Sequence, residues 1–246
     1  MKSTERHKLK ENEFARSVAA ARDALSTRSR DLTRAVIAAL VIVAVIAGYT
    51  MWRQSQNATA DAALASGLAI FEAPVMPVQA PEPGSPLPVQ QPGTFQTEQA
   101  KYEAALPRLL DAADAYPATD AGIAARYYAA SALASLGRFA EAEQQYRQVA
   151  DTAGSSIYGR TGRLGLADTQ AAQGKYDEAI AVYRELSTDA NSQIPVDGVL
   201  MALGRTYARA GRADEAARVF SRIVDEFPQS VYAADARRER DEIRKS

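Results

Sequence analysis

Gly174-Lys175-Tyr176-Asp177-Glu178-Ala179 recurs 37 residues earlier as Gly137-Arg138-Phe139-Ala140-Glu141-Ala142 and 37 residues later as Gly211-Arg212-Ala213-Asp214-Glu215-Ala216. One further step back reaches Ala100-Lys101-Tyr102-Glu103-Ala104-Ala105, where Ala replaces the Gly but the basic, aromatic and acidic positions persist. Self-similarity at a fixed period of this length marks an array of supersecondary units, each unable to bury its apolar face alone.

Working outward from the motif, a large residue stands nine positions after each Gly, at Tyr146, Tyr183 and Phe220, with Leu109 in the earliest copy. Ala142 and Ala216 lie four residues before Tyr146 and Phe220, so small and large side chains share one helical face. Ala112, Val149, Leu186 and Ile223 extend that stripe by a turn. A second helical stretch precedes each Gly, clearest in Leu203-Gly204-Arg205-Thr206-Tyr207-Ala208-Arg209-Ala210, with Leu166-Ala167 and Ala129-Ala130 at the same register. Gly137, Gly174 and Gly211 are expected to end the first helix of each pair in a left-handed conformation. Pro117 and Pro228 stop second helices, and Thr119 and Ser230 are candidate N-caps for the next helices.

Leu203-Gly204-x-x-Tyr207-x-x-x-Gly211, followed by Ala216, Phe220 and Pro228, resembles the tetratricopeptide repeat signature. The resemblance implies an all-α solenoid of helical hairpins. The family's period is usually about 34 residues, so each unit here carries a longer helix end or turn. No copy holds the family's Trp, and Arg126 stands at that position in one. An unrelated array of helical hairpins is the alternative, because the packing of a hairpin dictates much of this pattern.

The earliest copy has no first helix directly before it. Seven prolines, Pro74, Pro77, Pro81, Pro83, Pro86, Pro88 and Pro92, occupy residues 73–94 and rule out helix there. The candidate substitute is residues 57–72, where Leu64, Leu68 and Phe71 share a face, with the Pro-rich stretch inserted as a loop inside the first repeat. Pro83 to Pro86 has the spacing of a Pro-x-x-Pro ligand but no basic neighbour, so the loop reading is preferred.

Residues 35–52, AVIAALVIVAVIAGYTMW, carry no charge and are bounded by Arg34 and Arg53. As a helix they span about 27 Å, near a bilayer's hydrocarbon thickness. Residues 1–34 hold nine Lys or Arg against five acidic residues, whereas the rest of the chain has a net charge of −5. The excess of basic residues before the span predicts a cytoplasmic N-terminus and repeats on the far side of the membrane. The 34-residue leading region, and the polar run that separates the span from the nearest small-x-small site at Ala58 to Ala60, read as an uncleaved signal anchor. Within the tail, Phe14, Val18, Ala21, Leu25 and Leu32 fall near one helical face among arginines, which suits either a lipid-touching surface helix or a solvated one. The expected organisation is thus a tail over 1–34, an anchor over 35–52 and an exported domain over 53–246, with repeats over 95–230 and a capping helix over 231–246.

Residue types bearing chemistry are scarce. The chain has no Cys and a single His, His7, which removes thiolate nucleophiles, imidazole bases and the usual zinc sites. Asp177-Glu178 and Asp214-Glu215 recur with the repeat and suit solvated helix starts. No cofactor, metal or small-molecule substrate is expected, and a net charge of −1 gives no reason to expect nucleic acid.

First helices of a hairpin solenoid offer side chains to a partner. Repeat register assigns that face to Tyr127 and Ser131, Leu164 and Asp168, then Met201, Arg205 and Arg209, where the copies differ from one another as solvent-facing positions should. A solvated face without ligand is the alternative. The order of tail, anchor and exported repeats resembles the ancillary subunit of the bacterial SecYEG translocon. That resemblance implies an inner-membrane protein with periplasmic repeats, a non-enzymatic scaffold whose partners are the translocon or envelope chaperones; a structural subunit or homo-oligomer built through the repeats is the second reading.

Overall fold

The computed structural model describes residues 4–77, 91–189 and 193–245, with side chains from residue 33 onward. The apolar face expected over residues 14–32 and the Pro83 to Pro86 stretch lie outside what is described. Among the described residues the chain is all-helical, with α1 Thr4–Phe71, α2 Glu98–Ala115, α3 Asp120–Ser135, α4 Phe139–Ala153, α5 Ile157–Ala172, α6 Tyr176–Thr188, α7 Val196–Arg209, α8 Ala213–Glu226 and α9 Ala233–Ile243. Two compact units divide it, Met1–Ser55 and Gln56–Ser246.

In the first unit the apolar side chains stand open, Val36, Leu40, Val45 and Met51 among them at 56–72% exposure. An exposed apolar band of this kind marks a surface for contact with a protein or a membrane. The helix is long and apolar enough to cross a membrane. Tyr49 and Trp52 lie at the end of the uncharged stretch, within the helix, with ring centroids 6.1 Å apart.

The second unit stacks four hairpins and a cap. The first helix of the first hairpin is the part of α1 from Gln56 to Phe71, and Gly67 shows the correspondence. A Cβ on Gly67 would meet the Leu109 side chain at 2.6 Å, just as a Cβ on Gly204 would meet the Phe220 ring at 2.5 Å. Leu109 and Phe220 occupy the same repeat position, yet 42 residues separate Gly67 from Leu109 against 16 from Gly204 to Phe220. The difference is the Pro-rich insertion. Its ends are drawn together by Met76 N–H donating to Phe95 O at 2.8 Å and Phe95 N–H donating to Pro74 O at 3.0 Å.

Hairpins two to four are α3–α4, α5–α6 and α7–α8. At each turn the Gly adopts positive φ, 73° at Gly137, 78° at Gly174 and 74° at Gly211. The basic residue after it donates its N–H to a carbonyl in the preceding helix, Arg138 to Leu133 O, Lys175 to Gln170 O and Arg212 to Tyr207 O, each at 2.9 Å. That bond satisfies a carbonyl left open at the helix end and turns the chain into the second helix. Where Ala100 replaces Gly, no first helix directly precedes: α2 starts earlier, capped by Thr97 accepting from Ala100 N–H at 3.1 Å, and no left-handed residue is needed.

Thr119 caps α3 as expected, accepting from Gly122 N–H at 3.0 Å. Ser230 does not cap α9, which begins at Ala233 with Tyr232 at the N-cap. Its hydroxyl instead donates to Asp197 Oδ2 at 2.6 Å and accepts from Tyr232 N–H at 3.0 Å, closing a turn that ties the cap to α7. Pro107 lies inside α2, where it forfeits the bond its absent N–H would make to Glu103.

The stripe read from the repeats is the core: Leu109, Ala142, Val149, Tyr183, Leu186, Ala216, Phe220 and Ile223 are all buried. Each such Leu or Phe side chain contributes about 1.5–3 kcal/mol of apolar transfer. Charges tie neighbouring hairpins at the edge. Glu143, 7% exposed, accepts from Lys175 Nζ at 2.6 Å, Gln173 Nε2 at 2.8 Å and Arg147 at 2.8 Å. One repeat on, Arg212 lies 3.2 Å from Asp177. Ala236 of α9 is fully buried against the last hairpin, with Ile243 packed beside it.

Candidate functional site

The first helices α3, α5 and α7 present residues at equal register, and the structure separates the expected face into two rows. One row is Tyr127, Leu164 and Met201. Tyr127 and Leu164 are half-buried and pack against the cores, and Met201 is 2% exposed within the core of the last two hairpins. The expectation of a solvent-facing side chain therefore fails at Met201. The reason is helical geometry: this row lies four residues before the second, about 40° further round the helix, which turns it toward the seam between helices.

The second row is Ser131, Asp168 and Arg205, with Arg209 one turn beyond; Asp168, Arg205 and Arg209 are exposed and Ser131 is partly so. This row is keyed to the second helices. Ser131 stands beside the Tyr146 hydroxyl and acts to lower its pKa against the effect of burial. Tyr183 Oη donates to Asp168 Oδ1 at 2.5 Å. At the next register the aromatic is Phe220, which has no hydroxyl, and Arg205 turns instead to the cap, donating through Nε at 2.9 Å and Nη2 at 2.7 Å to Glu239.

Electrostatics reflect this arrangement. Asp168 is open to water on one side but has the mass of the solenoid around it, and that low-dielectric surrounding pushes its carboxyl above the usual Asp value, opposed by the Tyr183 bond. Burial raises the Tyr183 phenol, and the Asp168 charge beside it adds to the shift. Burial likewise raises Tyr127 and Tyr146. These phenols stay protonated at neutral pH and act as neutral donors.

Asp168, Arg205, Arg209 and Met201 meet in one pocket of about 340 Å³ with Tyr183, Thr206 and Tyr232. Asp168 also lines a neighbouring hollow of about 180 Å³ with Tyr146, Gly165 and Thr169. Tyr127 belongs elsewhere, to a chain of edge-to-face rings in which its centroid lies 5.5 Å from Tyr128, 5.8 Å from Tyr146 and 5.9 Å from Tyr158. A larger hollow of about 620 Å³ between α8 and α9 lies off the first-helix face and carries the Arg222–Glu226 pair.

Two of the pocket's residues, and the partner of a third, escape register reasoning. Tyr183 occupies a packing position, and only its hydroxyl hints at a second duty. Tyr232 and Glu239 come from the cap. A 37-residue step from Arg205 lands on Glu242, one turn past the true partner, because the turn before α9 does not repeat the spacing of the others.

A family model for the tetratricopeptide repeat-like domain matches residues 30–193, and a tetratricopeptide repeat model matches residues 164–231. No curated protein matches the chain. Among solved structures, TPR-like repeats of a Podosopora anserina protein named for the kinesin light chain align with a TM-score of 0.48 and 16% identity, covering 60% of this chain and 84% of that one. A point variant of the same repeats aligns with the same score and identity and is covered to 87%.

Proposed function

Because this chain belongs to the tetratricopeptide repeat-like domain family, whose repeats are scaffolds for protein–protein interaction, we propose that it is a membrane-anchored adaptor at the periplasmic face of the inner membrane. The span over residues 35–52 holds it there, the N-terminus stays in the cytoplasm, and the repeats recruit translocon components or envelope chaperones. The reading is supported by the exposed apolar band from Val36 to Trp52 and by the excess of basic residues before it.

One observation carries the adaptor role. Hairpins agree at buried positions but differ at Ser131, Asp168 and Arg205, and the exposed charges gather in one pocket on the first-helix face. Packing does not require charge there, whereas recognition uses it.

The test is affinity purification of the full chain from native membranes, with and without Arg209→Glu, together with a reporter fused after Ser246. The reading expects a reporter active only when exported and a stoichiometric partner that is lost with Arg209→Glu. A partner retained by that variant and lost on deleting residues 2–30 places recognition in the tail and overturns the groove. A reporter active only in the cytoplasm overturns the topology.

A further inference from the structure

Charges in the pocket on the first-helix face are not balanced against one another. Asp168 accepts from the neutral Tyr183 hydroxyl and makes no ion pair among the described residues. Arg209, lining the same pocket, makes none either. The third charge, Arg205, is already neutralised by Glu239 at 2.7 Å. A carboxylate and a guanidinium that line one cavity without pairing present a fixed dipole to whatever enters.

That dipole narrows the occupant. A lone anion drawn to Arg209 meets the Asp168 charge, and a lone cation at Asp168 meets the Arg209 charge, so a singly charged ligand loses at one end what it gains at the other. The pocket's size is at the low end of the roughly 300–1,000 Å³ of ligand sites, room for a few side chains. Because Asp168 also lines the adjoining hollow beside Tyr146 and Gly165, a chain can pass over Asp168 and continue along the face. An extended segment fits this path better than a compact molecule.

We propose that the face formed by α5, α7 and the cap recognises a linear peptide segment of mixed charge, in which a Lys or Arg side chain pairs with Asp168 and an Asp or Glu side chain pairs with Arg209, while Tyr183 orients the carboxylate. The proposal rests on the adaptor reading and specifies its ligand. Tyr183 Oη holds one carboxylate oxygen of Asp168 and leaves the other for the incoming cation, and Arg209, exposed and unpaired, offers its planar fork to a carboxylate.

The experiment selects a displayed library of random decapeptides against the full chain in detergent micelles. The expected result is enrichment of peptides with one basic and one acidic residue at a constant separation. Kd for the best synthetic peptide should rise by about tenfold or more with Arg209→Glu, and Asp168→Asn, which keeps the side chain's shape, should abolish the preference for the basic residue. Exchanging both charges, Asp168→Arg with Arg209→Asp, should select peptides with the two charges interchanged, circular dichroism showing the fold retained. Should the double exchange fail to fold, Asp168→Asn and Arg209→Glu decide alone. Enriched peptides without paired charges, unchanged Kd in both single variants, or no enrichment at all each overturn the proposal. The adaptor reading is judged separately, since a partner co-purified from membranes and lost with Arg209→Glu sustains it even when decapeptides do not bind.

Discussion

Tyr183 Oη lies 2.5 Å from Asp168 Oδ1, so that a residue of the packed stripe also sets the electrostatics of the exposed face. The two are 15 residues apart, on the two helices of a single hairpin. One unit earlier Tyr146 has the neutral Ser131 in the place of Asp168, and its phenol is lowered by that neighbour where Tyr183 is raised.

Replacing Tyr183 with Phe keeps the packing and removes the donor. A hydrogen bond to a charged group of this kind is worth about 1.5–3 kcal/mol at most, and water reaching Asp168 reduces the loss, so a destabilisation of about 1 kcal/mol is expected. Asp168 titrates above the ordinary 3.8, and Tyr183 is the contact that lowers it. In Tyr183→Phe the carboxyl should therefore move further up. Because the native state binds this proton more tightly than the unfolded chain, the contribution of Asp168 to stability falls as pH rises from the ordinary Asp value through the native one. A nuclear magnetic resonance titration of the Asp168 carboxyl checks the direction; a downward shift in the variant refutes it.

Gly204 is predicted to tolerate no side chain. A Cβ there would stand 2.5 Å from the ring of Phe220, which is fully buried and has nowhere to retreat. Gly204→Leu should cost on the order of 1–3 kcal/mol. Gly198 is the control on the same helix: its Cβ would meet the Tyr232 ring at an ordinary 3.5 Å. Gly198→Ala should stay within about 0.5 kcal/mol of the parent. Thermal unfolding followed by near-ultraviolet circular dichroism of the tyrosines separates the two, and equal melting points would show the seam to be softer than its geometry.

Glu143 governs the acid side of stability. The Lys175 ammonium bonded to it holds its carboxyl below the ordinary 4.5, against the opposing effect of burial. Its contribution is therefore fully present above the unfolded value and lost as pH falls through the native one. Glu143→Gln should lower stability at neutral pH and flatten the decline in acid. Denaturant unfolding from neutral pH down through the carboxylate range tests this, and parallel curves for the two proteins would rule it out.

Glu239 fastens the cap. Its pair with Arg205 is partly exposed, and such pairs contribute about 0–1 kcal/mol, so Glu239→Ala should scarcely shift global unfolding. Local opening is another matter, because α9 buries chiefly two small residues, Ala233 and Ala236. Hydrogen exchange in residues 236–243 should accelerate while that of α5 and α6 stays unchanged. Unaltered exchange in α9 would mean the alanine contacts alone hold it.

Much of this protein is legible in its sequence because the repeat imposes one solution on every copy. Gly137, Gly174 and Gly211 sit where only a residue free of Cβ adopts positive φ cheaply, and Leu109, Tyr183 and Phe220 sit where the hairpin must be filled. Such positions depend on neighbours within the same unit, at constant separation along the chain, so periodicity alone reveals them. The face row Ser131, Asp168 and Arg205 is legible as positions but not as chemistry. Repeat register assigns Met201 to solvent although it is core, because a turn of helix rotates a side chain by an angle that register does not resolve.

What only the tertiary structure decided lies where the period breaks. Gly67 pairs with Leu109 across the Pro-rich insertion, Ser230 serves Asp197 instead of a helix end, and Glu239 claims Arg205 from a cap whose spacing matches no copy. Those contacts join segments whose separation is unique in the chain. The sequence by itself determined the hairpins, their turns and their core, since local geometry repeats. The distribution of charge on the face depended on which polar group each partner leaves unsatisfied, a property of the assembled unit that no single stretch of sequence contains.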